Sequence, residues 1–518
     1  KAYERWGVEC LDRFVGMYAF AIWDIRRRRL FLARDRLGKK PLHYGEYAGR
    51  LTFASELKAL LADPEMPAEV DPDALALYLR YGYVPAPYSI FRCVRKLPPA
   101  HYALWESGRL TVRRYWDPVS IALSPRYAGT EAEAERELEP LLLDAVRGRM
   151  ISDVPLGAFL SGGIDSSLVV ALMQEQSPTA VKTFTIRFDN PQHNEADQAA
   201  AVARHLGTEH HEESCSGKRM LEAIEAVAGI FDEPFADSSA VPTYLVSQMT
   251  RRHVTVALSG DGGDEIFFGY PRYAVYDRQG WLLSSPRVVR STAAVAFGLF
   301  PRRRFQRAAA ILRQDDPDIY GRFLSCWLPD EIARLTGAGA VENPTYRDTG
   351  NALGKLGPAE RPPVVDLVTY LPEDILTKVD RASMAVGLEA RNPLLDHRVV
   401  EFALRLPLKM KWRRGVSKWL LRKILYRKVP RPLIDRPKMG FGVPLADWFR
   451  GPLRETLADQ LRQPWLEDLG LDPAPARAVW REFLAGRCHR VELLWSLLTL
   501  TSWAARWKRP SAKAQARC

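Results

Sequence analysis

The sequence predicts an α/β protein built on a parallel sheet, preceded by a β-rich layer and followed by a mainly helical part. Three observations predict it. From about residue 130, apolar runs of strand length alternate with amphipathic runs of helix length, the rhythm of a parallel sheet covered on both faces. Two of the strand-like runs end in Gly-rich acidic turns, "SGGIDSS" (161–167) and "SGDGGDE" (259–265). Residues 1–115 instead carry short β-type runs separated by turn residues, with no long helical pattern between them.

Taken in order, "MYAFAIWD" and "RLFLARD" flank the "IRRRR" turn and read as a hairpin, and "PLHYGEY" and "RLTFASE" flank "AGR" as a second. The Pro-rich stretch 81–102, "YGYVPAPYSIFRCVRKLPPAHY", reads as extended linker and loop. "TEAEAERELEPLLLDAVRGRM" (130–150) has the periodicity of an amphipathic helix. Then follow the strand "VPLGAFL" (154–160), the helix "IDSSLVVALMQEQ" (164–176), the strand "VKTFTIRF" (181–188) and the helix "NEADQAAAVARHLG" (194–207). The strand "TEHHEES" (208–214), two further helices and the strand "HVTVALSG" (253–260) complete the alternation, and from about residue 285 the chain reads as helical. Ligands of such sheets sit at the carboxyl ends of strands, where both Gly-rich turns fall.

The composition bounds the function class. The 518 residues suit two to four domains. An apolar content of 47% with 26% charged residues is ordinary for a globular protein, and no apolar run reaches the ~18 residues needed to span a bilayer. The six cysteines form no C-x-x-C pair, which argues against a zinc site or a disulfide scaffold and fits a reducing, cytoplasmic setting. The net charge of +12 is dispersed over several short runs, so neither nucleic acid nor membrane is an expected partner.

A strand-to-helix turn uses glycine where φ is positive or a ligand comes close. A helix start offers N–H groups and partial positive charge that suit phosphate. A Gly-Gly turn with serine caps also serves as a plain connection. Asp165 repels phosphate in such a turn unless a divalent cation bridges the two, and no lysine follows the glycines, so the turn is not a Walker A loop. Asp261, Asp264 and Glu265 crowd one another within five residues, which a magnesium ion relieves. An acidic helix cap is the plain alternative. It is the pairing of two such turns at two strand ends that points to metal and phosphate. In 373–403, "EDILTKVDRASMAVGLEARNPLLDHRVVEFA", most of the charges read as a salt-bridged helix. Lys438 precedes the Gly-Phe-Gly loop of "RPKMGFGVPLADWF"; reach to a phosphate and a surface lysine both remain open.

In this order, "GAFLSGGIDSS", "HLGTEHHE", "VALSGDGGDEIFFGY", "DRASMAVGLEARNPLLDH" and "RPKMGFGVPL" resemble the glutamine-dependent asparagine synthetase family. The first is similar to the pyrophosphate loop of the ATP pyrophosphatase superfamily, which it alone would indicate. "GMYAFAIWDIRRRRLFLARDRLGKKPLHY" and "LTFASELKALL" resemble the later half of that family's glutaminase domain. The resemblance implies a Rossmann-like ATP pyrophosphatase synthetase domain over 120–510. It also implies the remaining β-rich half of an Ntn-hydrolase-type glutaminase domain over 1–115. Members carry a nucleophilic cysteine after the initiator methionine. This chain opens on Lys1, and Cys10 lies in another context, so the expectation is a chain without a glutaminase nucleophile, whose N-terminal segment lies upstream. Asp261 stands where better-known members have glutamate.

By the same resemblance the chain amidates aspartate through β-aspartyl-AMP, releasing AMP and pyrophosphate, with ammonia drawn from glutamine. Ser161, Gly162, Gly163 and Ser166 cradle pyrophosphate, and Asp165 and Asp264 hold Mg²⁺. Ser259 and Gly260 contact adenosine, and Leu160 and Ile186 line the adenine pocket. Lys438 supports the α-phosphate and Asp261 assists proton removal. The substrate loop is expected at 232–244. The expected partners are aspartate, ATP and glutamine or ammonia, with a homodimer left open. The alternatives are a related amidotransferase acting on a glycan or secondary-metabolite carboxylate and, from another class, a tRNA-modifying enzyme. The latter calls for catalytic or metal-binding cysteines near the loop, and none stand there.

Overall fold

The computed structural model describes residues 1–188, 194–283, 285–300, 319–339, 341–435 and 443–507, with isolated positions between 305 and 312. The N-terminal part is two antiparallel sheets. One has the order β1-β2-β6-β7, from strands Ala19–Asp24 (β1), Arg29–Arg34 (β2), His101–Glu106 (β6) and Arg109–Arg114 (β7). The other has the order β4-β3-β5, from His43–Tyr47 (β3), Arg50–Ala54 (β4) and Val94–Lys96 (β5). Both expected hairpins form, with Ala19 opposite Arg34 and His43 opposite Ala54, but they lie in different sheets.

Two expectations fail here. The helix Pro72–Tyr81 (α1) interrupts the β-rich region, started by Asp71, whose carboxylate accepts from the Asp73 and Ala74 N–H groups. The Pro-rich stretch 81–102 is not a linker. Tyr83, Val84, Ile90, Phe91 and Leu97 are buried in it, and it supplies β5. Prolines break local hydrogen-bonding patterns, but the aromatic and aliphatic residues between them still have to be buried.

The second part holds a five-stranded parallel sheet of order β10-β9-β8-β11-β12, from Leu156–Phe159 (β8), Lys182–Phe188 (β9), Glu209–Cys215 (β10), Val256–Leu258 (β11) and Glu389–Arg391 (β12). β12 was not expected: three residues, one of them apolar, carry no strand signal, and only the exposed edge of β11 recruits them. The helix Glu131–Met150 (α2) precedes the sheet, with a reciprocal Thr130–Glu133 capping box at its start. The crossover helices are Ile164–Gln176 (α3), Ala196–Leu206 (α4), Gly217–Ala228 (α5) and Ala240–Arg251 (α6). Beyond them come Pro271–Leu283 (α7), Arg287–Gly298 (α8), Leu376–Met384 (α9) and Trp419–Tyr426 (α10). One π-helical turn, Leu371–Ile375, leads into α9.

The chain runs outward from β8 through β9 to β10, then returns to the other side of β8 for β11. The β8 and β11 exits therefore diverge and open a crevice at their carboxyl ends. One apolar core runs through both parts. Charged pairs also join them: Lys40 to Asp380 at 2.7 Å, Lys96 to Glu233 at 2.7 Å, and Arg381 to Glu56 at 2.9 Å.

Candidate active site

The crevice holds a cavity of about 800 Å³, lined from both strand-end loops and from α6, α7, α9 and the α10 entry. Of the residues the sequence singles out, Leu160, Ser161, Gly163, Asp165, Ser166, Ile186, Ser259, Gly260, Asp261 and Asp264 all line it. Gly162 is not among the lining residues. Its φ is +71°, and a Cβ there would stand 2.9 Å from Ala199 N, so it turns the loop and packs against α4. Lys438 lies outside the described residues.

The first loop is held by its own serines and leaves a helix start uncapped. Gly163 caps α3 without a side chain, leaving its N-terminal N–H groups toward the cavity. Ser161 and Ser166 share a 2.9 Å hydroxyl hydrogen bond, and Ser161 N donates to Ser166 Oγ at 3.2 Å. The second loop presses against this turn: a Cβ on Gly260 would stand 2.7 Å from Ser166 N and 2.9 Å from Asp165 C. Only glycine permits that approach.

The two aspartates expected to bind metal do converge, and the structure places a third group between them. Lys418 Nζ donates to Asp165 Oδ2 and pairs with Asp264 Oδ1 at 2.8 Å. Burial alone would lower its pKa, but the Asp165 and Asp264 charges hold it well above the ordinary lysine value. Lys418 sits just before α10 in a left-handed conformation, φ 55°, with its N–H donated to Phe267 O at 3.1 Å. A non-glycine residue held there is strained locally and supported by its surroundings. Nothing in "GVSKWLLRK" marks this lysine, which is 253 residues from Asp165 in sequence.

The donor set fits a magnesium ion by its chemistry. Two carboxylates from different loops face one point beside an uncapped helix start, and that point already holds positive charge. Among the described residues, no group of three or more His, Cys, Asp or Glu side chains is gathered for a metal. The remaining ligands would therefore come from phosphate and water.

Asp261 accepts from Ser259 Oγ at 2.5 Å and from Asn392 Nδ2 at 3.1 Å, and burial pushes its carboxyl up. The expected substrate loop is split. Asp237 and Ser239 face the cavity, where Lys378 Nζ reaches Asp237 Oδ2 and Ser239 Oγ, both at 2.8 Å. Asp232 and Glu233 instead bind Arg381 and Lys96 at the junction with the N-terminal part. Lys378, read from sequence as one member of a salt-bridged helix, is thus a cavity-wall cation. Glu265, against the same wall, has its pKa pushed up to about 7 by burial and by the Asp264 charge.

A family model described as asparagine synthase matches residues 137–505, and one described as glutamine amidotransferase domain matches residues 1–116. The chain is 34% identical over 519 residues to the "Putative asparagine synthetase (glutamine-hydrolyzing)" of Mycobacterium tuberculosis, covering 97% of this chain and 78% of that protein. It is 29% identical over 508 residues to asparagine synthetase (glutamine-hydrolyzing) 1 of Bacillus subtilis, covering 97% and 79%. At 25% identity over 527 residues it matches amidase chry2 of Gibberella zeae, covering 90% and 75%. With two glycine-rich strand-end loops meeting at the switch point of its parallel sheet and these matches along nearly its whole length, the chain belongs to the asparagine synthase family of carbon–nitrogen ligases.

Proposed function

We propose that this chain amidates aspartate at the expense of ATP, through a β-aspartyl-AMP intermediate, with ammonia as the immediate nitrogen donor. The observation that carries this reading is the convergence of Asp165, Asp264 and Lys418 where the two strand-end loops meet. The aspartate side-chain carboxylate attacks the α-phosphorus, the bond to the bridging oxygen breaks, and pyrophosphate leaves. Ammonia then attacks the acyl carbon, loses a proton, and AMP departs. Asparagine, AMP and pyrophosphate balance the reactants.

The first step concentrates negative charge on the leaving group, so groups aimed at it contribute most. The N-terminal N–H groups of α3 and the Ser161 and Ser166 hydroxyls cradle pyrophosphate. Lys418 supplies a positive charge that needs no solvent reorganisation. Magnesium, held by Asp165 and Asp264, supplies further neutralisation when bound. Leu160 and Ile186 line the adenine side, and Ser259 and Gly260 the ribose side. Lys438 is assigned to the α-phosphate. Asp261, whose carboxyl burial pushes up, takes the proton from the attacking ammonia. Lys378 and Ser239 offer a cation and a hydroxyl to the acceptor's carboxylate. A domain division at 1–115 and 120–510 accords with this assignment, which places every named group in the second part.

The test is pyrophosphate release and asparagine formation from Mg-ATP, ammonium and aspartate, run beside glutamate, succinate and larger carboxylates. Release that requires aspartate supports the reading. Release driven by a larger carboxylate and not by aspartate replaces it with a different acceptor.

A further inference from the structure

A second cavity, of about 160 Å³, lies between the N-terminal part and the helical region that follows residue 343. Arg36 and the turn Pro98–Ala100 wall it on one side, and Asn343, Thr349 and the stretch 367–369 on the other. It shares no lining residue with the cavity between the two strand-end loops.

Two side chains of its wall are buried with a hydrogen-bond donor unused. Asn343 is 1% exposed. Its Oδ1 accepts from Thr345 N at 2.9 Å and caps the helix Pro344–Ala352, which fixes the other end of the amide as the Nδ2 donor. That Nδ2 has no hydrogen-bond partner among the described residues. Arg36 is 9% exposed. It donates from Nη1 to Phe14 O at 2.5 Å and from Nη2 to Leu11 O and Asp12 O, each at 3.1 Å, while its Nε has no partner. A buried donor left unmet is costly, and more so on a charged group.

The carboxylates of the same wall do not supply the missing acceptors. Asp117 accepts from Val119 N and Ser120 Oγ and pairs with Arg114 at 3.3 Å. Glu373 turns to Lys96 at 3.4 Å and Arg34 at 3.8 Å, neither of which lines this cavity. Much of the remaining wall is apolar, with Leu37, Pro85, Pro118, Val119 and Leu367. An occupant must therefore bring negatively charged acceptor atoms for the two donors and a short apolar body for the prolines and aliphatic groups. A cavity of roughly 150 Å³ takes up a molecule of benzene size, about six non-hydrogen atoms.

We propose that this cavity is a binding site for a short-chain monocarboxylate, with Arg36 Nε and Asn343 Nδ2 donating to its carboxylate oxygens. The stretch 367–369 in its wall runs directly into Tyr370 and the π-helical turn Leu371–Ile375, and Tyr370 and Ile375 line the cavity between the strand-end loops. An occupant thus lies apart from the reacting groups, against the segment that carries part of their wall.

The test is isothermal titration calorimetry of the purified chain with sodium butyrate, butyramide and butylammonium at equal ionic strength. Butyrate is expected to bind at one site, about tenfold or more tighter than butyramide, and butylammonium not at all. Asn343→Asp keeps an oxygen for the helix cap, since aspartate caps as well as asparagine, and replaces the free donor by an acceptor. It should weaken butyrate binding by about tenfold or more. Val368→Phe narrows the cavity and leaves both donors in place; it should weaken binding as well, and it covers the case in which the first variant misfolds. Equal binding of butyrate and butyramide, or no heat from butyrate at ~10 mM, would overturn the proposal and leave the cavity to water. Binding that both variants retain, or that aspartate displaces, would place the carboxylate between the strand-end loops and overturn it too.

Discussion

Replacing Lys418 by methionine removes the positive charge that the structure places between Asp165 and Asp264 and keeps most of the side-chain volume. The Lys418 side chain is 5% exposed, and those of Asp165 and Asp264 are 15% and 19% exposed. Breaking a buried pair by deleting one partner costs about 3–5 kcal/mol, because the remaining charge stays desolvated and uncompensated. The carboxylates retain some access to water, so the lower end, about 3 kcal/mol, applies. A divalent cation bound only by the folded variant should return part of this, about 2.7 kcal/mol at a hundredfold excess over its Kd. In the parent the same cation must compete with the ammonium and should stabilise less. The assay is thermal and urea unfolding of parent and K418M, each with and without Mg²⁺, following the first transition of this multi-part chain. The expected result is a variant destabilised without Mg²⁺ and largely rescued with it. A variant as stable as the parent without Mg²⁺, or equal Mg²⁺ shifts in both, would refute the view that Lys418 neutralises this carboxylate pair.

Four further outcomes can be measured. Asp165→Asn and Asp264→Asn should each abolish Mg-ATP-dependent pyrophosphate release while circular dichroism stays unchanged; normal release in either removes that residue from the phosphate site. Gly260→Ala pushes a Cβ against the Ser166 N–H and the Asp165 carbonyl carbon, both backbone atoms that no rotamer change can move. A displacement of that size at a reacting site costs about 100-fold in rate, so near-normal kcat would show that the two loops need not touch. Lys438→Met should lower kcat for adenylation far more than it raises KM for ATP; the reverse pattern would make Lys438 a ground-state contact only. Lys39 is buried with its Nζ donating to Leu395 O at 2.9 Å; burial, then Arg149, depresses its pKa to about 8 from 10.5. The folded chain therefore binds fewer protons than the unfolded one between those values, and stability gains with rising pH there, by on the order of 3 kcal/mol in all. The gap in melting temperature between parent and Lys39→Met should shift toward the parent from pH 8 to pH 10, and a constant gap would exclude this origin.

The sequence by itself determined most of what depends on local chemistry, the Asp71-capped helix Pro72–Tyr81 excepted. The hairpin turns, the Thr130–Glu133 cap and the alternation of strands and helices arise from residues a few positions apart, whose propensities act before any tertiary contact exists. So does the turn at Gly162, which takes a positive φ, whereas Gly260 needs its missing side chain only because Ser166 and Asp165, distant in sequence, press against it. Because a parallel strand must be followed by a crossover, the sequence also located both turns at the carboxyl ends of the sheet.

Tertiary structure alone decided which distant residues share a point. Lys418 reads as an ordinary lysine before an amphipathic helix, and the fold carries it to Asp165 and Asp264. The three-residue β12 exists because β11 has an open edge, and the Pro-rich stretch 81–102 is buried because its aromatic and aliphatic residues face a core contributed by both parts. The cavity shared by Arg36 and Asn343 was equally hidden, since a helix cap and an arginine after a strand report their local bonds but not which cavity they line. The physical reason is common to all four: burial and charge pairing are properties of three-dimensional neighbours, and residues 253 positions apart leave no trace of their proximity in local propensity.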